Sequence, residues 1–326
     1  MGNIFSQFYF IPTPQLTEKN CPDQTDRVFI VTGGYAGVGL ELCKILYAHN
    51  ATVYIAGRSA AKAEAAISHI LEANPYSAGK LFFLQLDLSD LATIKPAVER
   101  FTASNSRLDV LVNNAGVMFP PVGSVDAHGH DLQVGTNCLG PYLLYRLLLP
   151  LLTKTAASST TASVRVAWAG SIAVQVAAPR PSGMVLDGEG QPTDQGIEVN
   201  YAQTKVGNVF LARAFAKDTN TNGVVHVAFN PGNLATELQR HWSGIVPWIV
   251  NTFVTYPAVF GGYTELWAAV SPEITPARSG AYVYPWGRFG NLPDGIEKAM
   301  RAESEGGTGV AAAFLGWCER QTRAFA

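Results

Sequence analysis

Apolar residues in this chain gather in short, nearly unbroken runs rather than in strict alternation with polar ones. Seven such runs, rich in β-branched residues, are "RVFIVTG" (27–33), "ATVYIAG" (51–57), "KLFFLQLDL" (80–88), "LDVLVNNAG" (108–116), "SVRVAWAGS" (163–171), "VVHVAFNPG" (224–232) and "SGAYVYPWG" (279–287). Segments with helical patterning lie between them, among them "GVGLELCKILYAHN" and "NCLGPYLLYRLLLPLLTK". A strand with one wet face alternates, whereas a strand covered on both faces stays apolar along its length. The pattern therefore predicts an α/β fold: a doubly wound parallel sheet of about seven strands with helices on both faces. In that architecture ligands bind beyond the carboxyl ends of the strands.

Residues 1–26 carry three prolines and no periodicity, and read as an N-terminal extension to a single domain spanning 27–326. "TAASSTTAS" (155–163) reads as a surface connection, and "APRPSGMVLDGEGQPTDQG" (178–196) as a long loop over one edge of the sheet. The stretch Ile245–Phe260 is apolar, yet it is short for a membrane span and contains Pro247, Asn251 and Pro257. It is expected to be a lid or a buried segment, within a substrate lid near 237–262.

Composition narrows the choices. Lys and Arg total 23 against 25 for Asp and Glu, a net charge of −2, which provides no electrostatic pull on nucleic acid. Cys21, Cys43, Cys138 and Cys318 are scattered, with no CxxC and no neighbouring His cluster. That usage fits reduced thiols in an intracellular, cytoplasmic protein better than a disulfide frame or a metal site. No transmembrane segment is expected. Gly2 and Ser6 match the M-G-x-x-x-[ST] myristoylation pattern, so a peripheral membrane contact stays open. The competing reading is an aromatic arm (Phe5, Phe8, Tyr9, Phe10) that packs back on the domain.

The first strand runs straight into "TGGYAGVGLE". Gly33, Gly37 and Gly39, with Val38 between the last two, allow a tight turn, a close backbone approach to a pyrophosphate and tight helix packing. The helix that follows offers free N–H groups and a positive dipole end. A glycine cluster also closes ordinary turns, so its place after the first strand carries the inference. An acid after the second strand would hold the ribose 2′-hydroxyl of NAD; here Ala56 and Gly57 stand there and Arg58 follows. A guanidinium suits a 2′-phosphate, so NADP is the expected cofactor; the alternative is a surface arginine after a strand. Lys62, one helical turn on, is read as solvated. Tyr35 and Ala36 inside the turn, where many NADP-preferring proteins carry a polar or basic residue, leave room for dual use.

"TGGYAGVG", "NNAG" (113–116), Asn137, Ser171, "YAQTK" (201–205) and "NPGNLAT" (230–236), in that order, resemble the motif set of the short-chain dehydrogenase/reductase family, whose fold is Rossmann-type. The resemblance covers about residues 27–240, and the family fold also expects the last strand near 281–286. The long interval between Ser171 and Tyr201 is similar to the branch with retinol dehydrogenases and the oxidoreductase half of WW-domain oxidoreductases. Chains of this kind are also common among fungal secondary-metabolite reductases. Gly170 replaces a serine that many relatives have beside Ser171.

The resemblance implies a catalytic set of Asn137, Ser171, Tyr201 and Lys205. Carbonyl reduction creates an alkoxide that must receive a proton, and Tyr201 is the implied donor. Lys205, four residues on, is expected to lower the phenol's pKa and to hold the nicotinamide ribose. Ser171 would hydrogen-bond the carbonyl oxygen, and Asn137, at the start of its helix, would hold a water that links Lys205 to solvent. Asp87 and Leu88 are implied for the adenine, Asn113 for support of the central sheet and cofactor cleft, and Thr236 for the nicotinamide carboxamide. Plainer readings exist: Asn137, Asp87 and Thr236 as helix caps, Ser171 as a strand-end serine, Tyr201 as a surface aromatic. Trp242, Val246, Trp248, Ile249, Phe253 and Tyr256 suggest an aromatic wall for a lipophilic small molecule, or core packing; His241 reads as a lid residue. The helix over 138–152 and the one after Tyr201 resemble the family's dimer surfaces, so a homodimer is compatible. The expected activity is an NADPH-dependent ketone or aldehyde reductase. The same residues also permit alcohol oxidation, and a non-catalytic dinucleotide-binding regulator is the rival outside enzymology.

Overall fold

The structure, a computed structural model, describes residues 6–8, 11–219, 223–234 and 255–326. Strands β1 (Val28–Thr32), β2 (Thr52–Gly57), β3 (Lys80–Gln85), β4 (Val110–Asn113), β5 (Arg165–Ala169), β6 (Val225–Phe229), β7 (Ala281–Tyr284) and β8 (Arg288–Gly290) form one sheet in the order β3-β2-β1-β4-β5-β6-β7-β8. The first seven fall inside the seven apolar runs and pair in parallel. Every residue of β1, β4, β5 and β6 is buried, which explains their lack of alternation. β8 is an addition to the expected seven: three half-buried residues that turn back antiparallel on β7. A run that short, just past Trp286 and Gly287 with φ of 68° and 89°, has no apolar signature to find.

One face of the sheet is covered by α1 (Gly37–Ala48), α2 (Ala60–Ala73) and a later helix, α6 (Ala258–Val270), through side chains such as Leu42, Ile70 and Trp267. The other face carries α3 (Ile94–Ser104), α4 (Gly140–Ala157) and α5 (Ile197–Lys217), with Phe101, Leu144 and Phe210 in the core. A C-terminal helix, α7 (Val310–Thr322), lies on α5 rather than on the sheet. A Cβ on Gly207 would stand 2.9 Å from Cys138 Sγ and 3.1 Å from the Phe314 ring, so Gly207 is where α5 lets both neighbours in. The α5 face read as a dimer surface is thus already buried within the chain, from Tyr201 to Ala212.

The chain runs outward from β1 to β3 and returns to β4, so the order reverses between β1 and β4. Strand ends diverge at such a point and leave a crevice. Thr32 stitches its two lips: Oγ1 donates to Val112 O at 3.2 Å and accepts from the N–H groups of Asn114 and Ala115 at 3.0 Å each. Among the described residues no helix is long and apolar enough to cross a membrane.

Candidate active site

A cleft of about 600 Å³ opens at this reversal, lined by Gly33, Tyr35, Gly37, Val38, Arg58, Lys62, Asp87, Leu88 and Asn114 among others. Gly33 and Gly37 take φ of 68° and 54°, values that side-chain-bearing residues rarely adopt. Gly39 does not line the cleft; a Cβ there would lie 2.5 Å from Asn114 Nδ2, so it lets α1 press against the end of β4. Ala36 precedes α1 in extended backbone without a side-chain cap. The first N–H groups of α1 thus have no side-chain cap among the described residues, and Gly37 and Val38 line the cleft, which makes an anion site.

At the end of β2 the acid is absent, as read. A Cβ on Gly57 would lie 2.2 Å from Tyr35 Cε1, so the Tyr35 ring covers the place where one would project. Arg58 is exposed at the cleft and has no ion pair among the described residues. Lys62, read as solvated, lines the same cleft. Asp87 accepts from Ser89 N and Oγ at 2.9 and 2.6 Å, a local turn formed while it lines the cleft; the cap of the next helical turn is Asp90 instead. Asn113 is buried behind the cleft, and its amide has no hydrogen-bond partner among the described residues. Its neighbour Asn114 lines the cleft, and its Nδ2 donates to Thr32 O at 2.8 Å. Thr236 and the lid up to residue 254, with His241, Trp242, Val246, Trp248, Ile249 and Phe253, lie outside the described residues, as does Gly2.

The four residues read as catalytic converge at the ends of β4 and β5. Tyr201 lies 6% exposed in the first part of α5, hydrogen-bonded to Ser171 just beyond β5. Lys205 Nζ sits 5.5 Å from the Tyr201 ring centroid and donates to Ala169 O at 3.1 Å. Asn137 is not at the start of its helix. It occupies a π-helical turn, Gly135–Leu139, that joins a first turn at Leu132 to α4; Gly140 N donates to Gly135 O. Such insertions concentrate at functional sites because they re-aim side chains. Asn137 thereby clasps Val117 from both sides, Oδ1 accepting from its N–H at 2.8 Å and Nδ2 donating to its carbonyl at 3.0 Å. The same Nδ2 donates to Thr204 Oγ1 at 3.0 Å. A Cβ on Gly116 would lie 2.9 Å from Asn137 Oδ1 and 3.6 Å from Lys205 Nζ, so this glycine brings the two together.

Electrostatics depart from the expectation for Tyr201. Burial pushes its hydroxyl up to about 12, opposed only by the Ser171 hydrogen bond, so the phenol is held protonated. Burial is the larger effect because the ammonium of Lys205 lies over the ring rather than at the oxygen. Lys205 itself is pushed down to about 8 by burial, against the pull of Cys138 and Glu265. Glu265, on α6, had no signal in the sequence. It is fully buried, neither carboxylate oxygen has a partner among the described residues, and burial raises it to about 8 while Lys205 pulls it down.

Sequence reasoning also missed aromatic residues, one of them against Tyr201. Phe119 packs edge-on against it with ring centroids 5.6 Å apart, from a left-handed backbone (φ 52°) that phenylalanine rarely adopts. Trp286 meets Tyr256 and Phe260 at 4.8 Å each, and a Cβ on Gly232 would lie 3.8 Å from its Nε1. Of the expected aromatic wall, Tyr256 is the member among the described residues. The long loop before α5 is tied to that helix by Gln203, which accepts from Val185 N at 2.8 Å and donates to Thr193 O at 3.0 Å.

Comparison with known proteins agrees with this geometry. A short-chain dehydrogenase/reductase of Phomopsis amygdali is 46% identical over 329 aligned residues, covering 100% of this chain and 98% of its own. The chain belongs to the short-chain dehydrogenase/reductase family. The family model for short chain dehydrogenases matches residues 27–178. A second relative, the short-chain dehydrogenase/reductase bet4 of Neocamarosporium betae, is 38% identical, covering 97% of this chain and 92% of its own. Among solved structures, an uncharacterized protein from Mycobacterium paratuberculosis shares 25% identity with a TM-score of 0.66, covering 95% of this chain and 98% of that one. Short-chain dehydrogenases/reductases are oxidoreductases that use a nicotinamide dinucleotide. The residues present fit one: Gly33 and Gly37 line the cleft with positive φ, and the N-terminus of α1, which no side chain among the described residues caps, opens on it at Gly37 and Val38.

Proposed function

We propose that this short-chain dehydrogenase/reductase is an NADPH-dependent carbonyl reductase that converts a lipophilic ketone or aldehyde to its alcohol, with a place in fungal secondary metabolism. The observation that carries the reading is a buried Tyr201, hydrogen-bonded to Ser171 with Lys205 over its ring, beside a cleft with a glycine cradle. When bound, the cofactor supplies the hydride. Gly33, Gly37 and Val38 would hold its pyrophosphate, with Gly39 letting α1 close on the end of β4; Asp87 and Leu88 would hold its adenine, and Thr236 its carboxamide. Asn113 backs the cleft from beneath. Arg58, without an ion pair among the described residues and with no acid at the end of β2, would take the 2′-phosphate, and Lys62 would add charge there.

Ser171 orients the carbonyl oxygen, and Tyr201 gives its proton to that oxygen as negative charge develops. Lys205 holds the ribose and follows the proton; Asn137, fixed by Val117 and Thr204, keeps the route to solvent. The aromatic residues Phe119, Tyr256, Phe260 and Trp286 support a lipophilic substrate. Purified protein mixed with a panel of hydrophobic ketones and aldehydes is expected to consume NADPH several-fold faster than NADH. A panel in which no member is reduced overturns the reading. With α7 already seated on α5, the protein is proposed to act as a monomer; light scattering is expected to give a mass near 34.9 kDa, and a dimer mass overturns that part.

A further inference from the structure

The N-terminal segment makes contacts that its place outside the sheet does not require. Gln7 is 1% exposed, and its amide is engaged at both ends. Nε2 donates to Gln175 Oε1 at 2.5 Å, and Oε1 accepts from Asn230 Nδ2 at 2.9 Å. The backbone on either side is held too: Ser6 O accepts from the Arg288 guanidinium at 2.8 Å, and Phe8 O from the Tyr256 hydroxyl at 3.2 Å.

These partners share one location. Gln175 belongs to the helical turn Ala173–Val176, which begins two residues after Ser171. Asn230 follows β6 and precedes Pro231–Gly232, where Leu234 pairs with Tyr256 in an isolated bridge. Arg288 opens β8. Gln175 also donates to the Tyr284 hydroxyl at 2.9 Å and to Asn291 O at 3.0 Å, so it is anchored to the β7–β8 hairpin as well. One side chain from outside the sheet therefore bridges the segment that carries Ser171 and the segment that leaves β6.

Those two segments matter because of what the other strand ends already do. The cleft of the glycine cradle uses the carboxyl ends of β1, β2 and β4. The ends of β5 and β6 remain for whatever meets the Tyr201 hydroxyl, since ligands in this architecture lie beyond the carboxyl ends. A buried amide with two fixed partners holds two chain segments at one separation, because leaving either partner unpaired in the interior is costly.

We propose that the segment Ser6–Phe8 is a built-in part of the substrate chamber, and that Gln7 is a positioning residue that sets the chamber's shape. It thereby selects which lipophilic carbonyl compounds, and which face of them, meet Tyr201. The proposal rests on the reductase reading above. The arm packing back on the domain was one of the two readings of the aromatic N-terminus; its consequence for specificity comes from the polar residue between the aromatic ones.

The test uses the full-length protein with Gln7→Ala and with Gln7→Leu, the second filling similar volume without the two hydrogen bonds in case the first folds poorly. The probe is 2-acetonaphthone, a prochiral lipophilic ketone, and the readouts are KM, the enantiomeric ratio of the alcohol and the affinity for NADPH. The enantiomeric ratio does not depend on how much of a variant is folded. Both variants are expected to lower it about fivefold and to raise KM, with NADPH affinity within about twofold of wild type. An enantiomeric ratio and KM unchanged in both variants overturn the proposal. If wild type reduces no ketone, the reductase reading fails separately, and the affinity of the NADP-loaded protein for 2-acetonaphthone then decides. A loss of about fivefold in the variants supports the positioning role, and equal affinity overturns it.

Discussion

The two halves of the sheet's carboxyl edge are built in opposite ways. On the side of β1, β2 and β4, the cleft rests on backbone: positive-φ glycines and the N–H groups of α1 that no side chain among the described residues caps. On the side of β5 to β8, the segments beyond the strands are tied together across 168 residues (Gln7 and Gln175 side chains), 223 residues (Gln7 and Asn230 side chains) and 282 residues (the Arg288 guanidinium and the Ser6 carbonyl). A ligand common to a whole family can be met by backbone, which tolerates few sequences. A ligand peculiar to one enzyme is met by whichever side chains the fold brings together.

The largest effect should come where the two halves meet. Replacing Tyr201 with Phe keeps the ring against Phe119 and removes the proton, so turnover is expected to fall on the order of 10³-fold with NADPH affinity retained. Stopped assays with cofactor titration separate the two; loss of cofactor binding instead would assign Tyr201 to the cradle half. Next in size, Arg58→Asp is expected to reverse the NADPH-to-NADH preference by about 10- to 100-fold, a change in kcat/KM confined to the cofactor half. An unaltered ratio would take Arg58 out of the phosphate site. The Gln7 variants, with their fivefold effect, are the mirror image: product ratio moves and cofactor affinity does not.

Glu265 offers the smallest test and a way to break the contrast, because it sits below the cradle half and yet has no local signature. Its pKa is raised from 4.5 to about 8 by burial, so the folded protein keeps the proton that the unfolded chain gives up. The stability held by the neutral carboxyl is complete below pH 4.5 and is lost as pH rises toward 8. Glu265→Gln, which is neutral throughout, should match wild type at pH 5 and exceed it by about 5 °C in Tm at pH 9. Equal Tm values at both pH values would mean the carboxyl finds a partner when ionised.

Much of the fold was legible because β1, β4, β5 and β6 are buried on both faces and so spell continuous apolar runs. β8 was not, since three half-buried residues carry no period. In the site, Gly33, Ser171, Tyr201 and Lys205 could be read because backbone geometry and proton chemistry admit few residue types at each place. Phe119, Gln175, Trp286 and Glu265 could not, since nothing local distinguishes them from ordinary core or loop residues. The pKa of Tyr201 was misread for a related reason: spacing shows that Lys205 is near, and only burial shows that desolvation is the stronger influence.

The π-helical turn at Gly135–Leu139 has a consequence for how this segment tolerates change. The extra residue puts the two ends of the helix out of phase, so that one end suits Val117 and the other the sheet. Excising a single residue here would let an unbroken α-helix form and would swing everything before it by about 100° around the axis. Asn137 would then let go of both its neighbours at once. A single deletion here would act on every contact of the turn together, whereas a substitution acts on one residue's contacts.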